Sequence, residues 1–369
     1  MKITFILPTV NMSGGIKVIA IYAKKLADRG HEIVLISPPP PDLPLKRKIK
    51  SLLTGKGWPI AHPFPSHLDN LGLDHRLLDT HRAATDADVP DADVVIATWW
   101  ETAEWVNSLS SAKGAKVYFI QHHELHDFIP AASSRATYML PLHKIVIASW
   151  LRNLMRDEYF DHDVDLVPNS VDKTQFYSAV RDKQPVPTIG FLYHTSQYKG
   201  VDISLKVIRQ LRDIFPDLRV IAFGSILPPA LAPLPPYIEF HHAPRQDDIR
   251  NLYAQCDLWL TASRSEGFNL PAMEAMACRT PVVSTRAGWP EEAVITGHNG
   301  VLADVDDVNS LAQGAADILT LSHDAWRELS AHAYETVADS SWDRSTELFE
   351  AALRRACDKH QKKFPQSAP

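Results

Sequence analysis

The opening stretch constrains the fold more tightly than any other part of the chain. Residues Lys2 to Leu7, KITFIL, form a β-rich run that PTVNMSGG interrupts. From Ile16 to Arg29 the apolar residues Ile16, Ile19, Tyr22, Ala23, Leu26 and Ala27 recur at helical spacing, and Gly30 closes the helix. HEIVLIS follows as a second buried strand, ended by four prolines. A strand, a glycine-bearing loop, a helix and another strand make the opening unit of a doubly wound α/β sheet.

Short apolar runs continue the rhythm through DVVIAT, KVYFIQ, HKIVIAS and VDLVPNS, up to about residue 170. The polar, proline-containing stretch KTQFYSAVRDKQPVP then reads as a linker. The cycle restarts with TIGFL, a helix around Val201 to Ile214, the strands LRVIAFG and YIEFHH, a helix near Asp247 to Gln255, LWLTA and PVVST. A chain of 369 residues exceeds what one core usually serves. The expectation is two Rossmann-like domains facing across a cleft, at 1–170 and 185–340, with helices from about 341–362 crossing back onto the first.

Composition removes several classes. A net charge of −6 lacks the basic surface that a general nucleic-acid binder uses, so no nucleic acid is expected as a partner. Three scattered cysteines, Cys256, Cys278 and Cys357, supply neither a disulfide framework nor a zinc cage and fit a reducing cytoplasm. The apolar start is too short for a signal peptide, and no stretch has bilayer-spanning length. Hydride chemistry is disfavoured: NMSGGIKV replaces G-x-G-x-x-G, and the second strand ends in Ser37-Pro38 where an acid would take the ribose.

The chemistry concentrates in SEGFNLPAMEAMAC, where Glu266 and Glu274 bracket a glycine loop, a proline and an apolar run. The motif lies between two strands, so it is a loop followed by a short helix. Gly267 permits a tight turn, and Pro271 suits the first helical position. Loop amides and the positive helix end make an anion site suited to phosphate. Glu274 can accept from two adjacent hydroxyls, and Glu266 stands at the rim. A diol, a phosphate and a hydroxyl-rich ring describe a nucleotide-sugar. Taken singly, Glu274 could merely complement the helix dipole and Glu266 could be a surface acid.

This segment resembles the E-x7-E signature of retaining glycosyltransferases with the GT-B architecture, family 4 above all. Further stretches are similar in the same order: SGGIKVIAIYAKKLADRGHEIVLIS, VPNSVDKTQF, QYKG and CRTPVVSTRAGWPEEAV…GHNGVL. The resemblance implies that Glu266 holds donor-sugar hydroxyls and Glu274 the ribose. It places the amides of Phe268, Asn269 and Leu270 on sugar and diphosphate, with Gly267 among the donor-binding residues, and Lys199 against the diphosphate charge. Gly14 and Gly15 would let the first loop approach the donor, and His122, or else His123, would face the sugar. Two departures stand out. The arginine usual after the strand before KG is missing, so either Arg264 or His194 supplies the second phosphate cation or donor affinity is weaker; Gly288-Trp289 replaces a glycine pair.

Other temptations read more plainly. QHHELHD, with His122, His123, Glu124, His126 and Asp127, falls one residue short of H-E-x-x-H, and the two DAD tripeptides and DHD read as polar turns; no metal is expected. Trp99, Trp100 and Trp105 could stack on an acceptor sugar, with buried packing the commoner use. The basic amphipathic segment 43–58 reads as a helix on anionic lipid or, more commonly, as one docked on its own domain. The resulting expectation is a cytoplasmic, metal-independent hexosyl- or deoxyhexosyltransferase, peripheral on the inner membrane face if that segment binds lipid. It would use a UDP-, GDP- or dTDP-sugar as co-substrate, without a separate cofactor. The acceptor would be a glycan, a lipid-linked or a small-molecule hydroxyl, in bacterial-type cell-surface polysaccharide or glycoconjugate synthesis. A non-catalytic GT-B binding subunit and a sugar-nucleotide epimerase are the alternatives.

Overall fold

The computed structural model describes residues 1–40, 52, 54, 65–125 and 129–364. The chain divides into two units: Met1–Ile147 with Leu151–Val167 and the segment from Thr346, and Ala148–Trp150 with Pro168–Ser345. Segment 43–58, apart from Leu52 and Thr54, lies outside the described residues, as do His126 and Asp127.

The first unit holds seven strands: β1 (Lys2–Ile6), β2 (Glu32–Ser37), β3 (Asp74–Leu77), β4 (Val94–Ala97), β5 (Ala115–Ile120), β6 (His143–Val146) and β7 (Val164–Leu166). They run parallel in the order β3-β2-β1-β4-β5-β6-β7, with Ile3 opposite Ile33 on one side and Val94 on the other. β1, β4 and β5 are nearly continuous apolar runs because helices cover parallel sheets on both faces. β3, with sequence DHRL, sits at the edge and is largely exposed, so no apolar pattern announces it. Phe349, on the helix Trp342–Lys363, stacks on Tyr22 at 4.5 Å and meets Phe119 edge-on at 5.0 Å. The first unit's aromatic core therefore includes a residue more than two hundred positions downstream.

The second unit has six parallel strands: β8 (Thr188–Leu192), β9 (Arg219–Gly224), β10 (Ile238–His242), β11 (Leu258–Thr261), β12 (Val282–Thr285) and β13 (Gly300–Ala303). Their order is β10-β9-β8-β11-β12-β13. The helix Val201–Ile214 buries Ile203, Val207, Ile208 and Leu211 along one stripe. The helix Leu270–Ala277 is buried almost all round, and Glu274 is its one charged residue. Asp257 ties the sheet's entry together: its carboxylate accepts from the amides of Gln184 (2.7 Å) and Thr188 (2.8 Å), and its carbonyl accepts from the Trp326 indole at 2.9 Å.

In this strand order the chain reverses direction across the sheet between β8 and β11. The carboxyl ends of the strands at such a switch point are the usual ligand position in open α/β sheets. Among the described residues no helix is long and apolar enough to cross a membrane.

Candidate donor site

Two backbone segments meet at the switch point of the second unit. After β8 the chain runs through a 3-10 turn, Gln197–Lys199, into Gly200 and the helix Val201–Ile214. Gly200 is left-handed at φ +61°, and a Cβ there would collide with the Ala262 carbonyl, so only glycine fits. After β11 the loop 262–269 leads into Leu270–Ala277. The Arg264 amide donates to the Tyr198 carbonyl at 2.7 Å, so the two segments are stitched backbone to backbone.

Glu266 is buried at this junction, with only 8% of its surface exposed. The Lys199 ammonium lies 2.8 Å from both of its carboxylate oxygens, and the Ser263 hydroxyl donates to Oε1 at 2.7 Å. The two residues that the sequence assigned to sugar and diphosphate thus form one ion pair. Ser263, which holds it in place, carries no motif signal and escaped sequence reasoning.

Asn269 caps the following helix from the left-handed region, φ 78°, which asparagine tolerates, and its side-chain amide donates to Thr261 Oγ1 at 2.9 Å. Leu270 is the first helical residue and Pro271 the second, one place later than the sequence suggested; no amide is needed at either place. Among the described residues the amides of Gly267, Phe268, Asn269 and Leu270 donate to no protein acceptor. Four such N–H groups at a helix start form a patch of positive partial charge suited to phosphate oxygens.

Glu274 sits within the helix, 7% exposed, and its Oε2 accepts from the buried Tyr253 hydroxyl at 2.9 Å. Burial, reinforced by the Glu274 carboxylate, holds the Tyr253 phenol well above its ordinary range, so it stays a donor. Tyr253 carries no motif signal and was not singled out from the sequence. Gly288, at φ +74°, packs against the loop: a Cβ would stand 2.8 Å from the Phe268 oxygen and 2.9 Å from Glu266 Cβ. The next residue, Trp289, stacks on Phe268 with centroids 5.8 Å apart and donates its amide to the Phe268 carbonyl. The Trp150 indole N–H donates to the Gly267 carbonyl at 2.9 Å.

The expectation for a replacement phosphate cation changes here. Arg264 is clasped by Asp202 at 2.8–2.9 Å and Asp306 at 2.7 Å, so its guanidinium is already neutralised. His194 Nδ1 accepts from the Ser196 amide at 3.0 Å. Burial, with the Lys199 charge second and Glu266 opposing, keeps its pKa below the ordinary histidine value, so it is uncharged near neutral pH. The unpartnered amides remain open to an anion, whereas Lys199, like Arg264, is already paired with a carboxylate, that of Glu266.

In the first unit Gly14 and Gly15 open the helix Gly14–Asp28, and neither has a positive φ. His122 is half-buried, with Nδ1 bound at 2.9 Å to the His123 carbonyl, while its own carbonyl accepts from the Tyr138 hydroxyl. His123 contacts the Tyr159 hydroxyl at 2.8 Å among aromatic rings, a structural setting. Glu124, unassigned from sequence beyond its place in the cluster, is buried, and accepts from the Trp100 amide at 2.8 Å. Trp99, Trp100 and Trp105 are all half-buried at the Trp100–Ser108 helix, so none is a core tryptophan. The acids of the D-x-D tripeptides are engaged: Asp88 with Arg82, Asp91 with Lys113, Asp161 with Lys144 and Asp163 with Lys359.

The fold is that of GT-B glycosyltransferase structures. Anabaena HepE in complex with UDP and glucose superposes with a TM-score of 0.73 at 16% identity, over 96% of this chain and 100% of that one. Sucrose-phosphate synthase of Thermosynechococcus elongatus gives a TM-score of 0.70 at 16% identity, over 100% of both. Among curated proteins, an uncharacterized glycosyltransferase of Methanocaldococcus jannaschii is 29% identical over 150 residues, 40% of this chain and 42% of its own. A D-inositol 3-phosphate glycosyltransferase of Mycolicibacterium smegmatis is 28% identical over 225 residues, 56% of this chain and 50% of its own. An N-acetyl-α-D-glucosaminyl L-malate synthase of Bacillus anthracis is 36% identical over 93 residues, 25% of this chain and 24% of its own. The chain thus spans about half the length, or less, of these curated relatives. Residues 186–321, which carry the second unit's donor-site residues other than Trp150, match the family glycosyl transferases group 1.

Proposed function

We propose that the protein is a metal-independent retaining glycosyltransferase that moves a sugar from a nucleotide diphosphate sugar to an acceptor hydroxyl. One observation carries this reading: buried Glu266 and Glu274 stand on either side of four unpartnered amides at a helix start, with Lys199 on Glu266. The amides and Lys199 take the diphosphate, Glu274 takes the ribose diol, and Glu266 takes hydroxyls of the sugar. Charge develops on the departing diphosphate, and preorganised donors lower that barrier without reorganising. In this reading the leaving phosphate oxygen accepts the acceptor's proton on the face that the sugar keeps, so no separate carboxylate base is needed. For the first unit, Gly14, Gly15 and His122 are assigned to donor approach and sugar orientation on motif order alone.

Because the HepE structure contains UDP, uridine donors are the first to test. The names of two relatives specify inositol phosphate and malate, so acceptor panels should include small anionic alcohols beside glycans and lipid-linked sugars. The experiment is a panel of UDP-, GDP- and dTDP-sugars with these acceptors, following nucleotide release and the anomeric configuration of the product by NMR. Release that requires an acceptor, with donor configuration kept, supports the reading. Donor binding without release would indicate a binding subunit, and release of an epimerised sugar without acceptor an epimerase. An inverted product would refute the same-face mechanism.

A further inference from the structure

A cavity of about 550 Å³ opens in the first unit, away from the carboxyl ends of its strands. Lys116 at the start of β5, His143 at the start of β6 and the Asp161–Asp163 turn before β7 line it, and the helix Trp342–Lys363 forms its outer wall. It therefore lies at the amino-terminal edge of the sheet, opposite the edge where His122 follows β5. Its volume is in the range of small-molecule sites, about 300–1,000 Å³.

The charges around it do not cancel. Asp161 is paired with Lys144 and Asp163 with Lys359, while His143 binds Asp165 at 2.8 Å. Lys116 and Lys363 remain. The Lys116 ammonium donates to the carbonyls of Asn107 (2.7 Å) and Leu109, which leaves one N–H unused. Lys363 has no carboxylate partner among the described residues; the Phe364 ring lies 5.7 Å from its ammonium. The two cations sense each other: burial first, and Lys363 as well, weaken proton binding at Lys116, against the pull of Asp86. An anion between them would relieve that repulsion.

The remaining wall is mixed, with Asn107 and Ser111 beside an apolar part. Phe364 is 47% exposed, and Leu142 lines the same cavity. Lys359 and Lys363 are four residues apart on the closing helix, and Phe364, just past its end, donates its amide to the His360 carbonyl at 2.9 Å, so rings and ammonium groups lie side by side in sequence there.

We propose that this cavity is a second ligand site, for a small phosphomonoester with an aromatic or alkyl body. Its dianion lies between Lys116 and Lys363, and its body packs on Leu142 and Phe364. The proposal is independent of the glycosyl-transfer reading.

The test is titration of the full chain with phenyl phosphate by calorimetry at low salt, with inorganic phosphate and phenol as separate ligands. One-to-one binding with a dissociation constant below about 1 mM is expected, weakened about tenfold or more in Lys363→Gln. Phe364→Ser should weaken phenyl phosphate but not inorganic phosphate, and both variants should keep the native melting temperature and UDP affinity. The proposal is overturned by the absence of saturable binding, by unchanged affinity in Lys363→Gln, or by equal losses for both phosphates in Phe364→Ser. Capture by phosphatidylglycerol vesicles without phenyl phosphate binding would also overturn it, since that describes a lipid surface.

Discussion

Both carboxylate oxygens of Glu266 lie 2.8 Å from the ammonium of Lys199, with the two side chains only 9% and 20% exposed. A pair this sheltered is costly to break from one side, because the survivor is left as an uncompensated charge. Under the proposed function, a diphosphate would draw the ammonium away and leave the carboxylate free to accept from sugar hydroxyls.

Glu266→Gln keeps the shape and the Ser263 contact while removing the charge. Transfer should fall by about 100-fold or more, the scale seen when a preorganised polar group is lost from a transition state. Nucleotide affinity should stay within about threefold. Turnover equal to the native chain, measured by nucleotide release, would sink the assignment of Glu266 to the sugar.

Tyr253→Phe deletes one hydroxyl and leaves Glu274 Oε2 without its 2.9 Å donor. The expected stability loss is about 1 kcal/mol, the net worth of a typical hydrogen bond. If Tyr253 positions Glu274 for a ribose, UDP affinity should drop several-fold and the preference for UDP over 2′-deoxy-UDP should shrink. A melting-temperature loss with that preference intact would leave the tyrosine a purely structural role.

Gly200→Ala forces a methyl group into the Ala262 carbonyl from a left-handed backbone. We expect a loss of about 1–3 kcal/mol from overpacking alone, with weaker donor binding, because the two site segments are pushed apart. Gly14→Ala is the matched control: among the described residues no atom lies within 4 Å of where its Cβ would stand, so stability should hold.

Burial pushes the Glu124 carboxyl well above its usual range, against the Trp100 amide that favours its charged form. The folded chain therefore holds this proton at pH values where the unfolded chain, with a pKa of about 4.3, has released it. Stability from this group is present below that value and falls as pH rises toward the folded pKa. Glu124→Gln should raise the melting temperature at pH 8 and make little difference at pH 4. Parallel melting curves for the two chains across that window would refute a buried, protonated Glu124.

Most of the fold could be read in the sequence because parallel strands covered on both faces must be apolar throughout, and TIGFL, LRVIAFG and PVVST announce themselves that way. β3 could not, since an exposed edge strand needs no apolar residue; nor could β13, whose GVLA is too short to stand out. Glu266, Glu274 and Lys199 were singled out through spacing within motifs, and the fold brings Glu266 and Lys199 together. Ser263, Tyr253 and Trp150 were not, because what they do depends on contacts between segments far apart in the chain. The ion pairs of Arg264 were hidden for the same reason: Asp202 and Asp306, its partners, lie 62 and 42 positions away.

The placement of Phe349 against Tyr22 and Phe119 has a bearing on how the protein is made. A ribosome delivers the amino-terminal sheet early, yet the ring that completes its aromatic core emerges only after the whole second sheet has been synthesised. During that interval Tyr22 and Phe119 lack their natural cover and are open to wrong partners or to a chaperone. Translation speed after residue 170, and any early stop before Phe349, should thus govern the yield of a sheet whose own strands were finished long before.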